Sequence, residues 1–158
     1  MKILLTGAAG GIGSTLGYYL FSQGHDLTLV DNLRNGYVEN LTINGQKFGK
    51  FFQMNICDSN LDTLLKNNYD CIIHLAAITA LPDCEVNSIN AIDVNVSGTM
   101  NIFECARKWS VPHVIFASTS AVYENNKEEV FTEDLDINPR LWYSLSKKMA
   151  EEVCESYR

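Results

Sequence analysis

The sequence predicts a doubly wound α/β fold around a parallel sheet, and three observations carry that prediction. Five short apolar runs alternate with longer amphipathic segments, which is the βαβ pattern. The first, fourth and fifth runs are almost continuously apolar, as strands covered on both faces must be. The first run opens directly into a glycine-rich turn ahead of a helical pattern.

The predicted strands are 2–6, 26–30, 51–54, 71–76 and 111–117. In the segments between them, Ile12, Leu16, Tyr19 and Leu20 share one helical face. Leu61, Leu64 and Leu65 do the same in a shorter segment, and Ile92, Val96, Met100 and Phe103 mark a long central helix. A last helix starts near Tyr143 and runs to the end. Segments 32–50 and 124–140 are rich in Gly, Asn, Pro and charge and read as surface loops. The expected strand order is 3-2-1-4-5.

Composition bounds the function. At 158 residues the chain has room for one domain with a real core. Its hydrophobic content of 46% and charged content of 20% are those of an ordinary globular protein. A net charge of −7 repels phosphate backbones, so nucleic acid is not an expected partner. The five cysteines, Cys57, Cys71, Cys84, Cys105 and Cys154, form no CxxC pair. An odd count without such spacing disfavours a disulfide framework or a zinc site, and no metal is expected. The opening apolar run is too short for a signal peptide, and no stretch reaches membrane-span length. A cytoplasmic protein is expected.

Gly7, Gly10 and Gly13 follow a strand and precede a helix. Without side chains the backbone turns tightly and approaches a pyrophosphate, which then meets the N–H groups and positive dipole end of the helix. Gly11 leaves a second spacing open, because Gly7, Gly11 and Gly13 also fit a TGxxxGxG pattern. Asp31 closes the second strand, where a carboxylate accepts the hydroxyls of an adenosine ribose and repels a 2′-phosphate. That favours NAD over NADP. Two observations stand beside it: Asp31-Asn32 is also turn chemistry, and Arg34 is placed to receive a 2′-phosphate. Asp58, after the third strand, reads equally as an adenine contact or as a helix cap with Ser59 and Asp62.

Tyr143 and Lys147 are four apart on a predicted helix and project from one face. A phenol ionises near pH ~10, and a neighbouring ammonium favours the phenolate. Such a pair takes a proton from a sugar hydroxyl while hydride leaves. YxxxK is also a common exposed helix turn, and its position after the fifth strand is what gives it weight here. Ser118, Thr119 and Ser120 lie at the carboxyl end of that strand, where ligands of such sheets bind. They are equally suited to satisfying local backbone.

The stretches TGAAGGIG, DNLRNG, NICD, HLAAITA, DVNVSGTMNI, FASTSAVY and YSLSK occur in order across nearly the whole chain. Together they resemble the extended short-chain dehydrogenases of the NAD-dependent epimerase/dehydratase family, with its Rossmann-type sheet, and DNLRNG looks especially like UDP-glucose 4-epimerases. The resemblance implies that Gly7, Gly10 and Gly13 bind pyrophosphate, with Gly11 and Ile12 in the same cofactor-binding turn. It places Asp31 and Asn32 on the adenosine ribose, and Ile56, Cys57 and Asp58 beside the adenine. Leu75, Ala76 and Ala77 line the cofactor groove, and Asn95 is a buried amide near the central helix. Thr119 takes the catalytic Ser/Thr place, Tyr143 is the acid/base, and Lys147 partners it and holds the nicotinamide ribose. The long gap from Thr119 to Tyr143 suits the extended branch.

Two positions depart from the family pattern. The 4,6-dehydratases carry Asp-Glu after the catalytic Thr, where this chain has Ser120 and Ala121, so a dehydratase is disfavoured. Glu124 follows Tyr123 where the family usually has Gly. The resulting expectation is one NAD-binding Rossmann domain over residues 1–158, truncated relative to the family and lacking its C-terminal substrate domain. The expected function is NAD-dependent epimerisation of a nucleotide sugar, a UDP-sugar by analogy, with homodimerisation through the central and Tyr/Lys helices. A nucleotide-sugar decarboxylase or reductase, or an NAD-binding module without turnover, stays open.

Overall fold

Strand formation follows the apolar runs. The strands are β1 (Lys2–Thr6), β2 (Asp26–Asp31), β3 (Thr42–Ile43), β4 (Gln46–Lys47), β5 (Lys50–Gln53), β6 (Cys71–His74) and β7 (Val114–Phe116). The computed structural model describes residues 1–158. They divide into two units, Met1–Ala76 with Asn101–Ala117, and Ala77–Met100 with Ser118–Arg158. No helix is long and apolar enough to cross a membrane.

The first unit contains the sheet. Its order is β5-β2-β1-β6-β7, and every pairing is parallel. Numbered by the five predicted runs this is 3-2-1-4-5, the order expected. β1 lies at the centre and is buried from Ile3 to Thr6. Leu4, Leu5, Leu29, Val30 and Ile72 have no exposed surface. The predicted fifth strand contracts to Val114–Phe116, and Ile115 is 56% exposed. One face of β7 is therefore open, where its apolar run suggested a strand covered on both.

Helix α1 (Gly11–Ser22) bears out half of the predicted helical face. Leu16 and Leu20 pack against the core, Ile12 and Tyr19 are exposed, and the fully buried positions are Gly13 and Gly17. A Cβ on Gly17 would come within 2.9 Å of the Phe48 ring and 3.3 Å of Leu5. The helix therefore approaches the sheet through missing side chains, a contact that hydrophobic periodicity does not register. Segment 32–50 is also more ordered than a plain loop. It holds a 3-10 turn, Val38–Leu41, and an antiparallel β3–β4 hairpin. Asn44 and Gly45 turn that hairpin with φ of 51° and 77°, the Asn-Gly preference of two-residue links.

The second unit is helical. Helices α2 (Leu61–Leu65) and α5 (Thr99–Lys108) belong wholly or mainly to the first unit, whereas α3 (Leu81–Val86), α4 (Ser88–Ile92) and α6 (Trp142–Ser156) belong to the second. A π-helical turn, Asp93–Gly98, joins α4 to α5, so the predicted central helix changes pitch midway. Met100 of its predicted apolar face is 47% exposed, and the buried face is Ala91, Asn95, Gly98, Thr99 and Ile102. Ile78, Cys84 and Ala91 form the core, with Val94 and Tyr143 packed on it.

Asn95 holds this unit together through polar contacts. Its Oδ1 accepts the Ile78 N–H at 2.7 Å, and its Nδ2 donates to the Ile78 carbonyl and to Ser146 Oγ, each at 2.9 Å. Ser146 in turn donates to the Tyr143 carbonyl at 2.7 Å. Asn95→Leu keeps the branched outline but strands the buried Ile78 N–H and leaves its carbonyl only the weak Cys84 thiol donor, and should cost about 1–3 kcal/mol in urea unfolding. A loss below about 0.5 kcal/mol would show that the Ile78 backbone finds other partners.

Candidate functional site

The glycine turn at the end of β1 is shaped by backbone contact. Gly7 has φ +68°, and a Cβ there would lie 2.8 Å from the Ala76 nitrogen and the Leu75 carbonyl carbon. A Cβ on Gly13 would lie 2.0 Å from the Gly7 carbonyl oxygen. One on Gly10 would meet that oxygen at 3.4 Å, and one on Gly11 meets nothing within 4 Å. The spacing left open by the sequence is thereby resolved for packing: Gly7 and Gly13 admit no side chain, Gly10 is tight and Gly11 is open. No side chain caps the first turn of α1, and no acidic residue lies in it. An uncapped helix start with an open approach is a site for an anion.

Asp31 joins this turn to β2. Its Oδ2 accepts the Ala9 N–H at 2.9 Å and its Oδ1 accepts the Leu33 N–H at 2.7 Å. The second bond holds Leu33 at φ +60°, a region that side chains other than Gly disfavour. Each carboxylate oxygen keeps a further lone pair, so Asp31 both makes the turn and retains acceptors for a ribose. Asn32 is exposed, and its Oδ1 accepts the Arg34 N–H at 3.0 Å in an Asx turn.

Of the residues expected beside the adenine, Ile56 is buried while Cys57 and Asp58 are exposed. Asp58 does not cap α2. Its Oδ2 accepts the Asn55 N–H at 3.0 Å, and the cap position falls to Asn60. Leu75 and Ala76 are half-buried beyond the end of β6. The Ala76 N–H donates to Thr6 Oγ1 at 3.2 Å, and Thr6 Oγ1 lies 2.7 Å from Nδ1 of the buried His74. This chain of polar contacts supports the strand end against which Gly7 packs, and the sequence reading did not single it out.

The second unit carries the remaining expected residues. Ala77 is half-buried and Asn95 is the buried amide described above. Tyr143 and Lys147 lie on α6; Tyr143 is half-buried and Lys147 is 4% exposed. Burial pushes the Lys147 ammonium down to about 8, against the opposing pull of Cys154 and Glu151. Thr119 caps the 3-10 turn Ser120–Tyr123 by accepting the Ala121 N–H at 3.2 Å, which leaves its own proton to donate. That 3-10 turn packs against α6.

Two acidic residues that the sequence reading did not assign hold this region. The Ser118 hydroxyl donates to Glu151, one helical turn beyond Lys147. Glu124 accepts the N–H groups of Arg140 and Leu141 and the Ser144 hydroxyl. The i,i+4 spacing of Lys147 and Glu151 was a usable signal. The partners of Glu124 lie far along the chain, and no local pattern announces them.

The sequence matches the NAD dependent epimerase/dehydratase family over residues 3–158. The chain belongs to that family. It is 38% identical to a UDP-N-acetyl-alpha-D-glucosaminuronate decarboxylase of Bacillus cytotoxicus, aligning 99% of this chain with 50% of that protein. It is 34% identical to a putative UDP-glucose 4-epimerase of Methanocaldococcus jannaschii, aligning 98% of this chain with 50% of that one. Among solved structures, a Thermus thermophilus UDP-glucose 4-epimerase in complex with NAD superposes with a TM-score of 0.90. Its identity is 28%, over 99% of this chain and 50% of that chain. The chain thus spans about half the length of the curated relatives it matches.

Gly13→Ala should destabilise the fold by more than about 3 kcal/mol, because backbone must move to admit the methyl group. Gly11→Ala should be neutral or stabilising by up to about 1 kcal/mol. Urea unfolding of both variants checks this, and equal effects would contradict the loop geometry. For Lys147 the sign of the pH effect follows from its lowered value. Its folded form sheds the proton near 8, while the unfolded chain keeps it to the ordinary 10.5. Charging it therefore costs stability below about pH 8, and that cost is relieved as pH rises toward 10.5. Between about pH 7 and pH 9, wild type should gain about 1 kcal/mol relative to Lys147→Met. Parallel pH dependences in urea unfolding would contradict the burial of a charged Lys147.

Proposed function

We propose that this chain is the NAD-binding part of a nucleotide-sugar enzyme that oxidises a sugar hydroxyl, with 4-epimerisation of a UDP-sugar as the outcome. The observation that carries the reading is Tyr143 and the buried Lys147 on one face of α6, in a chain whose glycine turn presents an uncapped helix start. The Thermus thermophilus epimerase solved in complex with NAD supports the cofactor, and the UDP-glucose epimerase relatives support the substrate class.

The glycine turn fits a dinucleotide. Gly7 and Gly13 leave room only for backbone, and Gly10, Gly11 and Ile12 open the helix whose N–H groups suit a pyrophosphate. Asp31 and Asn32 would take the adenosine ribose, Ile56, Cys57 and Asp58 the adenine, and Leu75, Ala76 and Ala77 the groove wall. The charge of Asp31 disfavours a 2′-phosphate and so favours NAD. When bound, NAD supplies the hydride acceptor.

The chain's own residues handle the proton. Tyr143 accepts it from the sugar hydroxyl as the phenolate. Lys147 lies one helical turn away on the same face, and with a value of about 8 it is largely charged at neutral pH. The Thr119 hydroxyl donates a hydrogen bond to the reacting oxygen and keeps its proton. Asn95 acts at a distance, by setting the π turn and Ser146 under Tyr143.

A second reading rests on the decarboxylase relative, which has the highest identity of those described. Hydroxyl oxidation is a first step that serves either outcome, so Tyr143 and Lys147 do not separate them. UDP-glucose and UDP-glucuronate offered in parallel to the full gene product do, by interconversion to the 4-epimer or by release of carbon dioxide. Tyr143→Phe should lower turnover by at least about 100-fold on whichever substrate is used while NAD binding is unchanged. Turnover near wild type in that variant would remove the mechanism. NAD binding with no turnover of any nucleotide sugar by the wild-type gene product would favour a binding module.

A further inference from the structure

Both carboxylate oxygens of Glu124 are engaged. Oε1 accepts the Leu141 N–H at 2.9 Å and the N–H of Arg140, and Oε2 accepts the Ser144 hydroxyl at 2.8 Å. Leu141 is the cap residue of α6, so these bonds grip the first turn of the helix on which Tyr143 sits. They hold the backbone that leads into the helix, the Ser144 hydroxyl ties the carboxylate to its first turn, and a negative charge suits that end of the dipole. Burial pushes the Glu124 carboxyl up, but the two N–H groups and the hydroxyl outweigh it and hold it below its ordinary value.

On its other side Glu124 belongs to the turn that presents Thr119. Its N–H donates to the Ala121 carbonyl at 3.1 Å, and the Ala121 N–H donates to Thr119 Oγ1 at 3.2 Å. A short path therefore runs from Thr119 through the 3-10 turn and Glu124 to the start of α6. Glu85 accepts the Trp142 N–H at 2.9 Å, so the same helix end is also held from α3. Glu85 has no hydrogen bond to the Thr119 turn, whereas Glu124 bonds both to that turn and to the helix start.

We propose that Glu124 is a positioning residue, whose carboxylate sets the Tyr143 phenol in register with the Thr119 hydroxyl by joining the Thr119 turn to the first turn of α6. The role rests on Tyr143 as the proton acceptor.

The test is steady-state kinetics of the full gene product with its nucleotide sugar. Glu124→Ala should lower kcat by about 10- to 100-fold, with KM and NAD content changed less than about twofold, because a small displacement of a reacting group costs rate and not affinity. Glu124→Gln keeps the length and an acceptor oxygen and should restore kcat to within about fivefold of wild type. In a Thr119→Val background, Glu124→Ala should cost less than about threefold, because the hydroxyl it aligns is already gone. A merely structural cap would lower Tm equally in both backgrounds and show no such coupling.

Wild-type kcat in Glu124→Ala, or a loss confined to KM, overturns the proposal provided Tyr143→Phe is inactive. An active Tyr143→Phe instead overturns the reading beneath it. Should Glu124→Ala fail to fold, Glu124→Asp poses the same question through a carboxylate one methylene shorter. Reduced kcat at constant KM supports the role, and unchanged kcat overturns it.

Discussion

The first unit depends on a backbone contact at the end of β1, where Gly13 packs against the Gly7 carbonyl and Gly7 against the Leu75–Ala76 peptide. The contact brings the start of α1 down onto the turn between β1 and the helix, and it exists only because neither residue has a side chain. Asp31 reinforces it from β2 by accepting the Ala9 N–H, and Thr6 reinforces it from β1 by accepting the Ala76 N–H. The ends of three adjacent strands are thereby tied to one turn. A helix start held this rigidly presents its N–H groups without reorganisation, which is what anion binding at a helix terminus requires.

The second unit is organised differently. Its apolar core is small, centred on Ile78, Cys84 and Ala91. Buried polar side chains supply much of the remaining definition: Asn95 on the Ile78 backbone, Ser146 on Tyr143, and Glu124 on the start of α6. Hydrogen bonds are directional where apolar packing is not, and a unit that must hold side chains in register gains from them. Lys147 is the exception, since its burial opposes its charge. A buried lysine with a lowered pKa is the kind of perturbed group found where proton transfer is performed.

Much of this was legible along the chain. The strand order could be read from the alternation of runs, and the glycine turn, Asp31 and the Tyr143/Lys147 pair were visible as local patterns. The misreadings share one physical cause. Periodicity reports where apolar side chains recur, so it placed Ile12 and Tyr19 beside Leu16 and Leu20, of which only the two leucines pack on the core, and it missed Gly13 and Gly17. It likewise read the run at 111–117 as covered on both faces, although Ile115 of β7 is exposed. The hairpin within 32–50 had a local signal in Asn44-Gly45, which lost to the polarity of its surroundings.

By itself, then, the sequence determined the class of fold, the parallel order of its sheet and the residue types offered to a dinucleotide and to a proton. These follow from short-range spacing, which the chain carries wherever it folds. Tertiary structure alone decided which glycines are indispensable, how far Lys147 is buried, that Asn95 bonds the Ile78 backbone, and that Glu124 holds the start of the Tyr143 helix. Those properties arise from contacts between residues distant in sequence, such as Ile78 with Asn95 and Glu124 with Leu141, and no local spacing encodes them.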